Sequence, residues 1–190
     1  MAQGGTRLGR ALTVGLADAG YDLAVLASGT TAEDARLEHR VVRAGRRIRL
    51  LAAGPDGPDG ILEEVERGFG RLDAVLTFPA AASADGVADP AELLAEPFHL
   101  VRRSATRLRD TRGAVVVCLG DATDATTAPL QALTRALARA LAPHVRVNAV
   151  APAPGGTARE TDWVRAVLFV LASPHLGGEI LRVGDGDGAA

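Results

Sequence analysis

Few residues in this 190-residue chain are of a kind that does chemistry. There is one cysteine (Cys118), one tyrosine (Tyr21), four histidines (His39, His99, His144 and His175) and no lysine at all. The histidines are scattered, and none stands at metal-ligand spacing from Cys118 or a carboxylate, so no metal site is expected. A constellation of Asp121, Asp124 and His144 is a minor candidate for acid–base work. Cys118 closes an apolar run and reads as a small core residue rather than a nucleophile. Asp185 and Asp187 lie in a glycine-rich tail and read as solvated.

The one motif with a binding mechanism is Gly4-Gly5-Thr6-Arg7-Leu8-Gly9-Arg10, which precedes a helical run over Ala11–Ala19. Glycines ahead of a helix let backbone N–H groups and the helix dipole approach a phosphate. The three residues before the loop are too short for a strand of ordinary length. The preferred reading is therefore a structural turn, with Gly4, Gly5 and Gly9 as remnants of a cradle. Arg102, Arg103, Arg107, Arg109 and Arg112 form a basic cluster that reads first as a solvated helix face.

Composition narrows the classes. With 47% apolar residues the chain can fold around a proper core. Its net charge of −2 argues against a general nucleic-acid or membrane-surface binder. Every basic side chain is Arg, which fits a high-GC bacterial genome and removes lysine chemistry. A lone cysteine allows no internal disulfide and fits the cytoplasm. No signal-peptide pattern and no apolar run of membrane-spanning length is present.

The elements that must position these residues alternate in type. Strands are expected at Asp22–Ala27, Ile48–Ala52, Ala74–Thr77, Ala114–Leu119, Val145–Val150 and Glu179–Val183. Helices are expected from Thr30 or Thr31 to Ala44, from Pro58 or Asp59 through Phe69, from Pro90 to about Asp110, and from Glu160 to Ala172. Pro97 should kink or divide the third of these. Its inward side is read as Leu93, Leu94, Phe98, Val101, Ala105 and Leu108, and that of the last helix as Val164, Val167, Leu168 and Leu171. A further helix should start near Ala128, because Pro129 fits a first turn, and should end before Pro143. Leu130, Leu133, Leu137 and Leu141 make its apolar stripe, and Ala132, Ala136 and Ala140 a second face with almost no bulk.

LTRALARALAPHVRVNAVAPAPG and, more weakly, GFGRLDAVL and GGEILRVGDGDG resemble segments of the short-chain dehydrogenases/reductases, in particular the 3-oxoacyl-carrier-protein reductase (ketoreductase) group. The resemblance extends over nearly the whole chain. It implies one α/β domain over residues 1–190, with a doubly wound parallel sheet of the Rossmann type ordered 3-2-1-4-5-6-7. The first strand is then truncated or absent: residues 1–5 form a stub of it, the start lies upstream, or a partner covers the gap. The family's substrate lid shrinks to Gly155-Gly156-Thr157-Ala158.

Set against that family, the chemistry is missing. The family's loop is Thr-Gly-x-x-x-Gly-x-Gly; here Gln3 replaces Thr and one residue is lost. Ser28-Gly29-Thr30 offers neither an acid for a ribose nor an Arg for a 2′-phosphate. Gly54-Pro55 replaces the adenine-contacting Asp-Val, and Thr77-Phe78-Pro79-Ala80 replaces Asn-Asn-Ala-Gly. The Tyr position falls at Thr123, the Lys position at Thr127 and the Ser position at Leu119 or Gly120. An aliphatic hydroxyl is a far weaker acid than a phenol, whose pKa starts near ~10.

No catalytic, metal or cofactor-binding residue is thus expected in this chain. The expected role is a non-catalytic subunit supporting an intact reductase that holds NADPH, as a heterodimer or heterotetramer, in bacterial secondary-metabolite or acyl-chain biosynthesis. The resemblance implies that Ala132, Ala136, Ala140, Phe98 and Arg102 form the subunit interface, and that Arg103 and Arg107 face an acyl or peptidyl carrier protein. The alternatives are an NAD(P)H-dependent oxidoreductase with an altered active site, and a small-ligand binding or regulatory module.

Overall fold

The structure is a computed structural model that describes residues 2–3, 6–27, 30–52, 57–78, 90–119, 124–154 and 157–184, with backbone alone for 2–3, 90–93, 96 and 124–126. The chain forms two compact units, Met1–Leu72 and Asp73–Ala190.

In the first unit, β1 (Ala2–Gln3), α1 (Arg7–Asp18), β2 (Leu23–Leu26), α2 (Ala32–Arg43), β3 (Ile48–Leu51) and α3 (Gly57–Phe69) follow one another. The strands are parallel in the order β1-β2-β3. The two described residues of β1, Ala2 and Gln3, pair with Val25 and Leu26. Helix α1 begins four residues earlier than its apolar run suggests, because Thr6 caps it, its Oγ1 accepting from Gly9 N at 3.0 Å. Of the two threonines that could cap α2, Thr31 does so. Its Oγ1 accepts from Asp34 N while the Asp34 carboxylate accepts from Thr31 N. Arg36, Arg40 and Arg43 form the wet face of α2.

Asp22 staples this sheet at its N-terminal end. Its carboxylate accepts from Arg47 N at 3.0 Å and Arg47 Nε at 2.7 Å, and pairs with Arg46 Nη2 at 2.8 Å. The entry to β2 is thereby tied to the entry to β3. Hydrogen bonds from Arg47, chiefly from its backbone N–H, hold the Asp22 carboxyl below its ordinary range.

The second unit runs β4 (Ala74–Thr77), α4 (Pro90–Thr111), β5 (Ala114–Cys118), α5 (Asp124–Leu141), β6 (Arg146–Pro152), α6 (Glu160–Ala172) and β7 (Ile180–Val183). Its sheet is parallel in the order β4-β5-β6-β7. All five residues of β5 are buried, which is why AVVVC shows no polar alternation: helices of a parallel sheet cover both faces. Gly113 at the entry to β5 has no room for a side chain, since a Cβ there would lie 2.6 Å from Asp73 O.

Several expectations need correction. Helix α5 starts at Asp124, so Pro129 sits inside it and costs only the hydrogen bond to the Ala125 carbonyl near the helix start. Pro97 does not divide α4, a continuous 22-residue helix. Phe98, read as inward, is 37% exposed, and the buried side of α4 runs through Leu100, Val101, Ser104, Ala105 and Leu108. On α6 the buried residues are Trp163, Ala166, Val167 and Val170, with Phe169 exposed. Burying Trp163, the one tryptophan, turns the helix about one residue away from the stripe read from its Val and Leu residues.

Two polar side chains fix the end of this unit. Arg146, at the entry to β6, donates to the carbonyls of Val170, Leu171 and Ser173 at 2.8–3.1 Å. It satisfies orphan acceptors at the C-terminus of α6 and puts positive charge at the negative end of that helix. Asn148 is fully buried in β6; its Nδ2 donates to Leu176 O and its Oδ1 accepts from Glu179 N, both at 3.0 Å. One amide thus holds the chain entering β7 in register.

Asn148→Ala strips both partners at once and should destabilise the chain by about 1–3 kcal/mol in urea unfolding, because the stranded groups keep their desolvation cost. Asn148→Asp should cost more than Asn148→Ala at neutral pH, because it buries a carboxylate with one oxygen set against the Leu176 carbonyl. The Asp22 staple has a pH signature. A depressed carboxyl pKa gives stability that is present above the unfolded value, near 3.8, and is lost as pH falls through the folded value. Thermal unfolding should therefore separate wild type from Asp22→Asn at neutral pH, with the gap closing below about pH 4. A gap independent of pH would exclude this role.

Candidate functional site

In an open parallel sheet, ligands sit beyond the carboxyl ends of the strands, so the loop after β1 and the β5–α5 corner are where a site belongs. Each is built from its own unit.

In the first unit, Gly4 and Gly5 lie outside the described residues, as do Ser28, Gly29, Gly54 and Pro55. Gly9 is described, and it is not in a loop. It is buried in the first turn of α1. Its N–H, one of the groups that would face an anion, is already taken by Thr6 Oγ1, and its carbonyl accepts from the buried Thr13 Oγ1 at 2.8 Å. The helix start is thus capped from within the chain. Thr30, past β2, is exposed and uncharged.

In the second unit, the described residues that flank the β5–α5 corner are buried. Leu119 is buried, and its N–H donates to Val150 O at 2.8 Å. Cys118 is buried as well, and burial pushes its thiol up to about 12, so it stays protonated and inert at ordinary pH. Thr127 is buried on α5, whereas Gly120 and Thr123 lie outside the described residues. After β4, Thr77 and Phe78 are buried, while Pro79 and Ala80 are outside the described residues. The residues that can be seen here pack; they do not present a proton donor.

The Asp121, Asp124 and His144 constellation does not form. Asp124 opens α5 and His144 lies just past its last residue, Leu141. An 18-residue helix spans about 27 Å, so the two stand at opposite ends. Asp121, Asp185 and Asp187 lie outside the described residues. His39, His99, His144 and His175 are all exposed, and no metal-holding group of His, Cys, Asp and Glu occurs among the described residues. Nor is any described helix long and apolar enough to cross a membrane.

What remains in view is a surface. Helices α4 and α5 lie against each other. Leu130 and Leu137 are buried and Leu133 and Leu141 half-buried, so the leucine stripe faces inward. Ala132, Ala136 and Ala140 are exposed, as are Phe98, Arg102 and Arg103, while Arg107 is half-buried. The structural roles of Arg146 and Asn148 escaped the sequence reading. Their one signal was a polar pair inside the strand run Val145-Arg146-Val147-Asn148-Ala149.

The comparisons agree with this architecture. No curated protein matches the sequence. A protein from Burkholderia xenovorans assigned to the short-chain dehydrogenases/reductases superposes with a TM-score of 0.81 at 20% identity, over 97% of this chain and 95% of that one. An NADPH-dependent 3-quinuclidinone reductase from Rhodotorula rubra gives 0.80 at 19% identity, over 98% and 89%. An acetoin dehydrogenase from Enterobacter cloacae gives 0.76 at 20% identity, over 94% and 91%. At such identities the likeness establishes the doubly wound Rossmann-type fold. A family model described as short chain dehydrogenase-like protein matches residues 88–183, just over half of the sequence, so the chain belongs to the short-chain dehydrogenase-like family.

Proposed function

We propose that this chain is a non-catalytic member of its family that assembles with a catalytically competent reductase and supports it. The observation that carries the reading is Thr127. It occupies the position of the family's lysine, it is buried on α5, and no lysine exists elsewhere to replace it. Without that cation nothing lowers the pKa of a proton donor, and the neighbouring donor position is Thr123, an aliphatic hydroxyl. The partner supplies NADPH and the chemistry, acting on a carrier-bound acyl or peptidyl intermediate in a bacterial biosynthetic pathway. This chain contributes the α4/α5 surface with Ala132, Ala136, Ala140, Phe98 and Arg102. Arg103 and Arg107 help to seat the carrier protein. The lone buried Cys118 suits a reducing compartment, and we place the assembly in the cytoplasm.

Two measurements test the reading. Calorimetric titration of the isolated chain with NADPH should give no saturable binding at micromolar cofactor, because the α1 start is self-capped and Thr30 offers no charge for a ribose or its phosphate. Saturable binding would revive an altered-mechanism enzyme. Co-expression with a catalytically intact short-chain reductase from the same organism should yield a single species of summed mass that is more active or more stable than the reductase alone. Ala136→Arg should split that species by placing a long charged side chain in a tight helix crossing. A reductase that never co-elutes and works equally well alone would end the proposal.

A further inference from the structure

Among the described residues the strands form two ladders, β1-β2-β3 within Met1–Leu72 and β4-β5-β6-β7 within Asp73–Ala190. Each unit also has its own buried apolar side chains, such as Leu12, Val25 and Leu62 in the first and Leu108, Val116 and Leu130 in the second. The two are not sealed alike. In the second unit β5 is buried throughout and β6 is buried over Val147–Ala151. Its polar ties are internal as well, with the fully buried Asn148 amide holding Leu176 and Glu179. In the first unit β3 carries one exposed and three half-buried residues. The ties between its elements are ion pairs that reach solvent. Arg10 meets Glu33 at 2.8 Å and joins α1 to α2; Arg46 and Arg47 meet Asp22 and join the entries to β3 and β2; Arg49 meets Glu64 at 3.2 Å and joins β3 to α3. Pairs in such surroundings stabilise little.

The least costly opening of a folded chain starts where burial is thinnest and the hydrogen bonds are most exposed. It spreads through the elements that share a ladder and a core. We propose that Met1–Leu72 opens as one cooperative block while Asp73–Ala190 stays folded, which gives the chain a built-in, partly open state. Helices α4 and α5 belong wholly to the second unit, so that state keeps the surface assigned above to a partner. The inference needs no partner and stands or falls apart from the subunit reading.

The test uses the full-length chain, whose one tryptophan, Trp163, is buried on α6 and reports the second unit. Unfolding in urea is followed by far-ultraviolet circular dichroism and by Trp163 fluorescence, and amide exchange is mapped by mass spectrometry at low urea. Circular dichroism should fall in two steps, with the Trp163 emission following only the second. After correction for intrinsic rates, the amides of β2 and β3 should exchange at least about tenfold faster than those of β5 and β6. Leu12→Ala empties a fully buried position of the first unit. It should move only the first step and speed exchange in β2 and β3 at least about thirtyfold, with β5 and β6 unchanged. Where that variant leaves the first unit open altogether, β5 and β6 should still hold their protection and Trp163 its buried emission. A single transition in which both signals coincide would overturn the inference. So would Leu12→Ala speeding β5 and β6 by the same factor as β2 and β3.

Discussion

The burial of β5 on both faces is the constraint from which most of the second unit follows. Five consecutive residues, Ala114–Cys118, must be apolar because helices cover the strand on both sides. The helices packed on this unit's sheet each present one apolar stripe to it. On α5 that stripe is Leu130, Leu137 and their half-buried neighbours Leu133 and Leu141; on α4 it is Leu100, Val101, Ala105 and Leu108. The opposite faces are therefore free to vary, and they are where alanines and arginines accumulate. Hydroxyls that fall on the inner faces satisfy themselves: Ser104 donates to Leu100 O and Thr134 to Leu130 O, both at 2.8 Å.

The same constraint shapes the C-terminal end of β5. A catalytic corner needs polar groups held at the end of β5 and the start of α5, and each such group must be desolvated or supported by neighbours. Here Leu119 and Thr127, on either side of that corner, are buried, and the Cys118 thiol is held protonated by its own burial. The scaffold keeps its register by other means, with Arg146 on the last carbonyls of α6 and Asn148 on the chain entering β7.

With no lysine, arginine does every cationic job in the molecule, and the jobs differ. Arg146 is a helix-end donor that needs its planar fork to reach three carbonyls. Arg46 and Arg47 close a carboxylate staple, and Arg47 also stacks over Phe69, with 5.0 Å from guanidinium to ring centroid. Arg102, Arg109, Arg135 and Arg139 are instead exposed, where a charge stabilises little within the chain and acts mainly on what approaches.

The sequence by itself determined the alternation of strands and helices, the buried character of β2 and the absence of lysine chemistry, because each depends on local patterning or on residue identity alone. Ala74–Thr77 and Glu160–Ala172 carry the bounds their pattern implies. Tertiary structure alone decided how each helix is rotated. Phe98 turned outward, and Trp163 took the inside of α6 ahead of Val164 and Leu168, because a helix rolls to bury its bulkiest well-fitting side chain rather than its average stripe. It also decided where Pro97 and Pro129 could be tolerated, since packing along a whole helix outweighs one missing hydrogen bond. The separation of Asp124 from His144 and the two carbonyl-binding side chains of β6 were equally invisible beforehand. They depend on partners 24 to 31 residues away in sequence or on the length of an intervening helix, and no local pattern records those distances.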